Sequence, residues 1–413
     1  MPGLEAAAPD ALDGREAWAR LLRALALSTV GGVGMWSVVV ALPAVQADFG
    51  VARGGASLPY TLQMIGVGFG GILMGRLADR FGIIAPSSLG ILLLGLGYLA
   101  AAAAPTLLVF ALVHGLLIGV GCSASFGPLL AHVSLWFVRR RGIAVAICAS
   151  GNYLAGAIWP PIVQHLVAAY GWRTAHLAIG LACLALMLPL VPGLRRPPPR
   201  AVAGGPAPGF RPGALPVGPR ALQTLLILAG LGCCVAMAMP QVHIVAYCGD
   251  LGYGVARGAE MLSIMLGLGI VSRLASGFVA DRIGGLATLL VGSLLQGATL
   301  VLYTLFDGLT SLYIISGLFG LVQGGIVPSY AIIVREYFPA SQAGARVGIC
   351  IMATLFGMAL GGWLSGVIFD WTGSYRAAFL NGIAFNLMNG AIALGLLASS
   401  RRAGPGRLAT SAA

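Results

Sequence analysis

Arg273 lies deep within an apolar stretch, 259–280, that is long enough to span a bilayer. A guanidinium in the middle of a spanning helix costs about 2.5–3.5 kcal/mol on insertion scales, so a favourable interaction must offset that cost. Bidentate hydrogen bonds to a carboxylate are one such interaction. This residue type at this position therefore predicts reversible binding of an anion.

The acidic residues of the chain offer Arg273 little compensation. All 12 Asp and Glu residues lie in the N-terminal tail, in polar connections or at the ends of apolar stretches. The remaining partners are water, backbone carbonyls, neutral side chains and an anionic ligand. Two interpretations stay open. Either Arg273 belongs to a substrate site, or it is a structural arginine that extends toward Asp281 or helix-end carbonyls.

Other polar and aromatic side chains fall near the middle of apolar stretches and are candidate walls of the same site: Trp36, Tyr60, Gln63, Asn152, Tyr153, Gln241, His243, Gln323 and Tyr330. Each is either a ligand contact or a hydrogen-bonding partner between helices. His114 and His243 are candidates for carrying a proton, because histidine titrates near neutral pH, and a structural role is the alternative for both.

The composition places the chain in a membrane. Hydrophobic residues make up 58% of the sequence, charged residues only 9%, and the mean hydropathy is +0.93. A soluble domain needs a more charged surface than this. The net charge of +12 comes from arginines in the connections between apolar stretches, so no nucleic-acid partner is expected and membrane lipid is.

Catalytic signatures do not occur in the sequence. It contains no Gly-Lys-Ser/Thr phosphate-binding loop and no cysteine or histidine pairs at metal-ligand spacing. We therefore predict a protein that is not an enzyme and that uses no cofactor and no metal. Its energy source would be a gradient.

Twelve apolar stretches can be delimited, at 21–46, 56–76, 83–104, 107–134, 142–167, 174–194, 221–248, 259–280, 286–305, 309–334, 346–370 and 375–399. They predict an N-terminal tail (1–20), a first six-helix bundle (21–194), a linker (195–220) rich in proline and glycine, a second bundle (221–399) and a C-terminal tail (400–413).

The distribution of arginine predicts the orientation. Placing both termini and the linker in the cytoplasm leaves only Arg53, Arg173, Arg257 and Arg376 on the other side, with Arg273 on neither. Positive side chains concentrate on the cytoplasmic side of membrane proteins. The prediction is a multi-pass protein of the cell's inner (plasma) membrane with cytoplasmic termini.

One segment of the chain occurs twice. Gly75-Arg76-Leu77-Ala78-Asp79-Arg80-Phe81-Gly82 returns loosely as Gly277-Phe278-Val279-Ala280-Asp281-Arg282-Ile283-Gly284, 202 positions later. Gly171-Trp172-Arg173-Thr174-Ala175 is likewise answered by Gly373-Ser374-Tyr375-Arg376-Ala377. Two related halves that enclose one central site are a common design among transporters.

The repeated segment resembles the signature loop of the major facilitator superfamily, and the resemblance covers essentially the whole chain. It implies an all-α membrane protein with twelve transmembrane helices in two pseudo-symmetric six-helix bundles, and a monomer. It also implies a gating role for Asp79, Arg80, Asp281 and Arg282. A helix-packing turn is the alternative, and the chain departs from the family pattern at Ile83 and Ile84, where basic residues are usual.

A narrower resemblance involves the fifth and eighth helices. Trp136-Phe137-Val138-Arg139-Arg140-Arg141-Gly142-Ile143-Ala144, leading into Ala149-Ser150-Gly151-Asn152-Tyr153, is similar to monocarboxylate and oxalate/formate transporters, and Arg273 matches their carboxylate-binding arginine. The chain departs from the animal carriers at Gly269, where they have an acid. It departs from the oxalate type because 348–369 contains no second basic residue.

These observations predict a secondary active transporter of a small organic anion, with a monocarboxylate as the leading candidate. It would work by alternating access, as an anion exchanger or a proton symporter, with the proton as a candidate second partner. Two alternatives remain: an efflux carrier of apolar or cationic compounds, and a non-transporting membrane sensor of carboxylates.

Overall fold

The computed structural model describes residues 12–196 and 217–402, and every regular element in those ranges is a helix. Most of the predicted linker and C-terminal tail, and about half of the N-terminal tail, lie outside the described residues. The all-helical architecture agrees with the sequence prediction.

Within the described residues, the first half contains ten α-helices and two other helical segments. The helices are α1 (Arg15–Gly31), α2 (Val33–Phe49), α3 (Arg53–Ala56), α4 (Leu58–Phe81), α5 (Ile84–Ala102), α6 (Leu107–Val113), α7 (Val120–Ser123), α8 (Gly127–Ser134), α9 (Arg141–Ala149) and α10 (Gly151–Met187). A π-helical turn, His114–Gly119, joins α6 to α7, and a 3₁₀ segment, Leu188–Leu194, follows α10.

The described part of the second half contains seven helices, which are longer and less interrupted. They are α11 (Pro219–Asp250), α12 (Val255–Ile283), α13 (Gly285–Leu305), α14 (Leu309–Gln323), α15 (Ile326–Tyr337), α16 (Ala340–Thr372) and α17 (Tyr375–Arg402).

Together these helices make twelve membrane crossings. Eleven helical stretches of the described chain are long and apolar enough to span a bilayer, and one of them, Arg141–Leu194, is 54 residues long. A helix of that length exceeds one bilayer thickness. Gly171 interrupts it with φ 79° and ψ 159°, a conformation that favours glycine, so this stretch crosses twice. The twelve-helix prediction is confirmed.

Several crossings are broken where the sequence weakens the helix. Gly32 separates α1 from α2, and the chain turns between Ser123 and Gly127 before Pro128 enters the first turn of α8. The tenth crossing breaks in the same way at Gly324 and Gly325, ahead of Pro328. Proline is compatible with the first turn of a helix because no hydrogen bond from its nitrogen is needed there. Apolar periodicity alone did not predict these breaks.

The turns of the two halves match in register. Gly50, Gly82 and Gly171 have positive φ, and so do Gly252, Gly284 and Gly373, each of which lies 202 positions after its counterpart. This is the same spacing that separates Asp79 from Asp281. The duplication therefore includes the backbone geometry of the turns.

Two faces of the molecule can be distinguished. We call the face where α1 begins and α17 ends the terminal face, and the opposite one, where α2 and α11 end, the far face. The most extensive contacts between the bundles are those of α4 with α16 and of α10 with α12, and α3 packs on α16 and α2 on α11 as well. Toward the far face α4 and α16 pack closely, since a Cβ at Gly362 would lie 2.9 Å from the Tyr60 ring. Toward the terminal face, Gly75 of α4 and Gly348 of α16 have open space beside them.

Candidate functional site

Arg273 lies at the contact between α12 and α10, where it crosses from the second bundle to the first. Its guanidinium carbon is 4.7 Å from the centre of the Tyr153 ring, and Nη1 donates to the carbonyl of Ala149 at 3.4 Å. Nε is buried without a hydrogen-bond partner. Among the described residues, no carboxylate lies within ion-pair distance of it. The charge of Arg273 is therefore held by an aromatic face and one carbonyl, and it is not neutralised.

Gly269 explains how the Tyr153 ring reaches Arg273. A Cβ at Gly269 would lie 2.6 Å from Cε1 of Tyr153, which is closer than real Cβ contacts allow. Glycine thus makes room for the ring, and an acidic side chain at 269 would require the ring to move. The departure of this chain from the animal carriers at Gly269 therefore has a steric counterpart in Tyr153.

Two other candidates lie beside this contact. The indole nitrogen of Trp36 donates to the carbonyl of Asn152 at 3.4 Å, so Trp36 packs next to the residue that precedes Tyr153. We call Trp36, Asn152, Tyr153 and Arg273, with the Ala149 carbonyl, the Arg273 site. It joins the first, fifth and eighth crossings.

The structure also pairs Gln241 with Gln323. The Gln241 amide donates to Oε1 of Gln323, which leaves Nε2 of Gln323 buried with no partner. This pair lies between the seventh and tenth crossings of the second bundle.

The remaining wall candidates already have partners within the protein. Gln63 donates to the Gly34 carbonyl, and its Oε1 lies 2.8 Å from Nδ1 of His114. His243 Nε2 donates to the Gly362 carbonyl at 2.8 Å. The Tyr330 hydroxyl donates to Asn389 at 3.0 Å, and Tyr60 is buried against Gly362. Such bonds are typical of helix–helix packing, which favours structural roles for Gln63, His243 and Tyr330 in this conformation.

The predicted gating residues Asp79, Arg80, Asp281 and Arg282 are all exposed at the terminal face. Asp79 and Asp281 make no ion pair among the described residues, and the Arg80 guanidinium lies 5.2 Å from the ring of Phe81. They are not engaged with the opposite bundle here.

Asp13 anchors the start of the described chain at the same face. Its carboxylate accepts hydrogen bonds from the backbone N–H groups of Val138, Arg139 and Arg140 at 3.0–3.1 Å. Partial burial raises the pKa of this carboxyl, but the three hydrogen bonds and the nearby Arg139 together bring it below its usual value.

A second cross-bundle cluster lies at the far face, and its residues were not predicted from the sequence to form a site. Arg53 at the start of α3 bonds to Asp250 of α11, with a closest approach of 3.0 Å, and to the hydroxyl of Tyr375. The backbone N–H groups of Arg53 and Gly54 donate to Asp370 of α16 at 2.8 and 2.7 Å. Arg53 is only 6% exposed. We call Arg53, Asp250, Asp370 and Tyr375 the far-face clasp.

A sequence signal for part of the clasp exists in the duplication. Asp250 is the counterpart of Asp48, and Tyr375 is the counterpart of Arg173, at the same spacing of 202. In the first half Asp48 pairs with Arg173 at 3.1 Å. Asp250 therefore lacks the arginine of its own half, and Arg53 of the other half takes that place.

Comparisons with known proteins agree with this architecture. A family model described as Major Facilitator Superfamily matches residues 24–313 and 265–412. The chain is 32% identical to monocarboxylate transporter 13 of Bos taurus, over 79% of the chain and 77% of that protein. It is 26% identical to the agnestins efflux protein AgnL12 of Paecilomyces divaricatus, over 58% of the chain and 54% of that protein.

A solved structure shares the fold. A bacterial homologue of the human lysosomal transporter Spinster, in an inward-facing and occupied conformation, superimposes with a TM-score of 0.73 at 14% identity. The match covers 93% of this chain and 98% of that one.

Proposed function

The chain belongs to the major facilitator superfamily, and from that premise we propose that it carries a small organic anion, most simply a monocarboxylate, by alternating access. The transporter class rests on the family match, and the name of the bovine relative supports the substrate class. The Arg273 site would bind the carboxylate.

The observation that carries this proposal is the uncompensated charge of Arg273. Within the described residues this guanidinium has an aromatic ring and one carbonyl as partners and no carboxylate. A cation–π contact contributes about 0.5–2 kcal/mol, which is less than the cost of a charge within a spanning helix. A substrate carboxylate would supply the missing countercharge through charge-assisted hydrogen bonds.

The same charge gives a rule for the transport cycle. Closing the bundles around an empty Arg273 would desolvate an unpaired guanidinium, which is costly. A bound carboxylate removes that cost, so the loaded carrier changes face more readily than the empty one. This favours anion exchange over proton symport, because a symporter has to return to its first face with Arg273 empty.

We propose that the terminal face is cytoplasmic and the far face external, because arginines concentrate at the former. The described conformation would then be closed to the outside by the far-face clasp. Opening to the outside would break the contacts of Arg53 and engage the exposed Asp79 and Asp281 loops at the cytoplasmic face. A monomer would suffice for this cycle.

Uptake into proteoliposomes tests the proposal. Labelled short-chain, hydroxy-, keto- and aromatic acids would be offered to the native protein, to Arg273→Ala and to Arg273→Lys. Arg335→Ala, which removes an exposed arginine of α15, is the matched control. We expect uptake of the preferred acid to fall at least about 100-fold in Arg273→Ala, to recover only in part in Arg273→Lys, and to persist in the control. Unchanged uptake in both Arg273 variants would exclude the proposed site.

The name of the fungal relative supports a second candidate, export of a larger or apolar compound. The distribution of acids argues against an organic cation, since no Asp or Glu stands in the middle of a crossing. Counterflow experiments distinguish the two functions. An anion carrier exchanges internal for external acid, whereas an exporter of neutral compounds gives no exchange with any acid in the panel.

A further inference from the structure

At the far face, the two halves have equivalent hydrogen-bond acceptors, but different groups bind to them. In the first half the acceptors bind the guanidinium of Arg173. Arg173 donates to the carbonyls of Ala102 and Ala104 at 3.2 and 2.7 Å and to the Asp48 carboxylate at 3.1 Å. Its guanidinium carbon also lies 4.3 Å from the centre of the Trp172 ring. Two carbonyls at the end of α5, a carboxylate and an aromatic ring thus form a complete site for a guanidinium.

The second half repeats the acceptors of this site. At the spacing of 202, Asp250 corresponds to Asp48, and Thr304 and Phe306 at the end of α13 correspond to Ala102 and Ala104. At the same spacing the position of Arg173 holds Tyr375, whose hydroxyl accepts a hydrogen bond from Arg53, and an arginine, Arg376, follows one position later. Trp172 is likewise replaced by the smaller Ser374.

A cavity of about 410 Å³ lies beside these acceptors. It is lined by Asp250, Thr304, Phe306 and Tyr375, together with Tyr303 and Asp307. The carbonyls of Thr304 and Phe306 accept no hydrogen bond among the described residues. A volume of this size is within the range of small-molecule sites.

We propose that this cavity binds a small organic cation with a guanidinium or primary ammonium group. The carbonyls at the C-terminus of α13 carry the negative end of the helix dipole, which favours a cation. Asp307, where the first half has Pro105, adds a carboxylate at the cavity wall. The rings of Tyr303 and Tyr375 add aromatic surface that suits a cationic head group.

Two arginines affect the binding of a cation in this cavity: Arg376 would repel it, and Arg53 would compete with it for Asp250. Arg376 lines the cavity with a positive charge and forms no ion pair among the described residues. Arg53 already bonds to Asp250, whose side chain is still 39% exposed. A cation that binds Asp250 would therefore compete with Arg53 for the carboxylate, so the ligand would weaken the far-face clasp. Binding of an external cation in this cavity would then favour opening of the far face.

Binding of agmatine, which has a guanidinium and a primary ammonium group, to the purified full-length protein tests the proposal without any transport assay. Calorimetry would compare agmatine with N-butylurea, a neutral compound of similar shape. We expect agmatine to bind and N-butylurea to bind at least about tenfold more weakly, because only the former is charged. Equal binding of the two compounds, or no binding of agmatine, would overturn the proposal.

Variants locate the binding. Asp307→Asn is expected to weaken agmatine binding about fivefold, whereas Asp48→Asn in the filled first half is the matched control and should leave it unchanged. Tyr375→Arg restores the arginine of the first half and should abolish binding. Arg376→Ala should strengthen it about twofold to threefold. Unchanged binding in both Asp307→Asn and Tyr375→Arg would place agmatine elsewhere and refute the assignment. None of these measurements involves an acid, so their outcomes do not depend on whether the anion proposal is correct.

Discussion

Arg53 and Arg273 both extend from one bundle to the other, and they do so in opposite directions. Arg53 of the first bundle meets the Asp250 carboxylate and the Tyr375 hydroxyl of the second. Arg273 of the second bundle meets the Tyr153 ring and the Ala149 carbonyl of the first. The difference is the countercharge. The Asp250 carboxylate neutralises Arg53, whereas Arg273 has no countercharge within the described protein and would be able to bind an anion.

The magnitudes fit this division. The Arg53–Asp250 pair is partly exposed, so a contribution of about 1 kcal/mol is reasonable. That is enough to bias a two-state equilibrium several-fold and small enough to be broken in each cycle. An unpaired Arg273 costs more than this, so in the proposed cycle the occupancy of the Arg273 site would matter more than the clasp.

Among the changes that keep Arg273 itself, the largest expected effect comes from giving it its own countercharge. Ala149→Asp places a carboxylate on the residue whose carbonyl Arg273 already contacts. We expect anion uptake to fall more than about 30-fold, because the internal carboxylate competes with the substrate. Ala149→Asn has the same size without the charge and should retain most of the uptake. Equal losses in the two variants would show that bulk, and not charge, is responsible.

Breaking the clasp should have the next largest effect. Arg53→Gln removes the cross-bundle ion pair, and Arg173→Gln is the matched control, because it breaks the equivalent pair within one bundle. Val367 packs against Gly54 at the clasp, and the native cysteines of the described chain are buried. Reaction of Val367→Cys with an impermeant maleimide at the far face should speed up about fivefold in Arg53→Gln only.

The charge-exchanged pair sharpens this test. Arg53→Asp combined with Asp250→Arg should return the labelling rate toward the native value, whereas either single change should not. If the double variant labels as fast as the single ones, the ion pair does not hold the far face closed.

The aromatic partner of Arg273 should have a moderate effect. Tyr153→Leu removes the ring face, and Tyr153→Phe keeps it. We expect the KM for the anion to rise about threefold in Tyr153→Leu and to stay near the native value in Tyr153→Phe. The measurement is the concentration dependence of uptake. A similar KM for Phe and Leu at this position would mean that the ring does not orient the guanidinium.

The smallest effect concerns an acid that stays within one bundle. Asp13→Asn should leave uptake unchanged and lower the melting temperature by a few degrees at pH 7. Because the pKa of Asp13 is lowered in the folded protein, its stabilisation is present above the usual pKa and is lost as pH falls through the folded value. The difference in melting temperature between variant and native protein should therefore disappear once the pH falls below the folded pKa of Asp13, which is lower than the usual value.

The sequence predicted the fold better than the partners of its polar residues. Twelve apolar stretches and the repeated Asp79 segment were sufficient for the architecture, since a membrane admits few alternatives. The position of Arg273 was also predictable, because a charge in an apolar stretch stands out. The pairing of Gln63 with His114 was not, since it depends on how two helices rotate against each other.

The clasp shows the same limit more sharply. Arg53 and Tyr375 are 322 positions apart, and nothing in the local sequence of either residue indicates the other. What the sequence did contain was an inconsistency between its two copies, an acid at 250 whose expected arginine is a tyrosine. Comparing the copies position by position would have indicated that Asp250 needs a partner from outside its own half.

The turn glycines of the two halves keep one register: Gly50, Gly82 and Gly171 match Gly252, Gly284 and Gly373. This register limits how such a chain can change length. The Pro128 break is answered by Pro328 at a spacing of 200, two residues short, yet the register is restored by Gly373. The second half is thus two residues shorter than the first up to Pro328 and regains these two residues before Gly373. This is expected if the thickness of the hydrocarbon core limits the length of each crossing. An engineer who shortens one crossing should expect to need a compensating insertion in the following one.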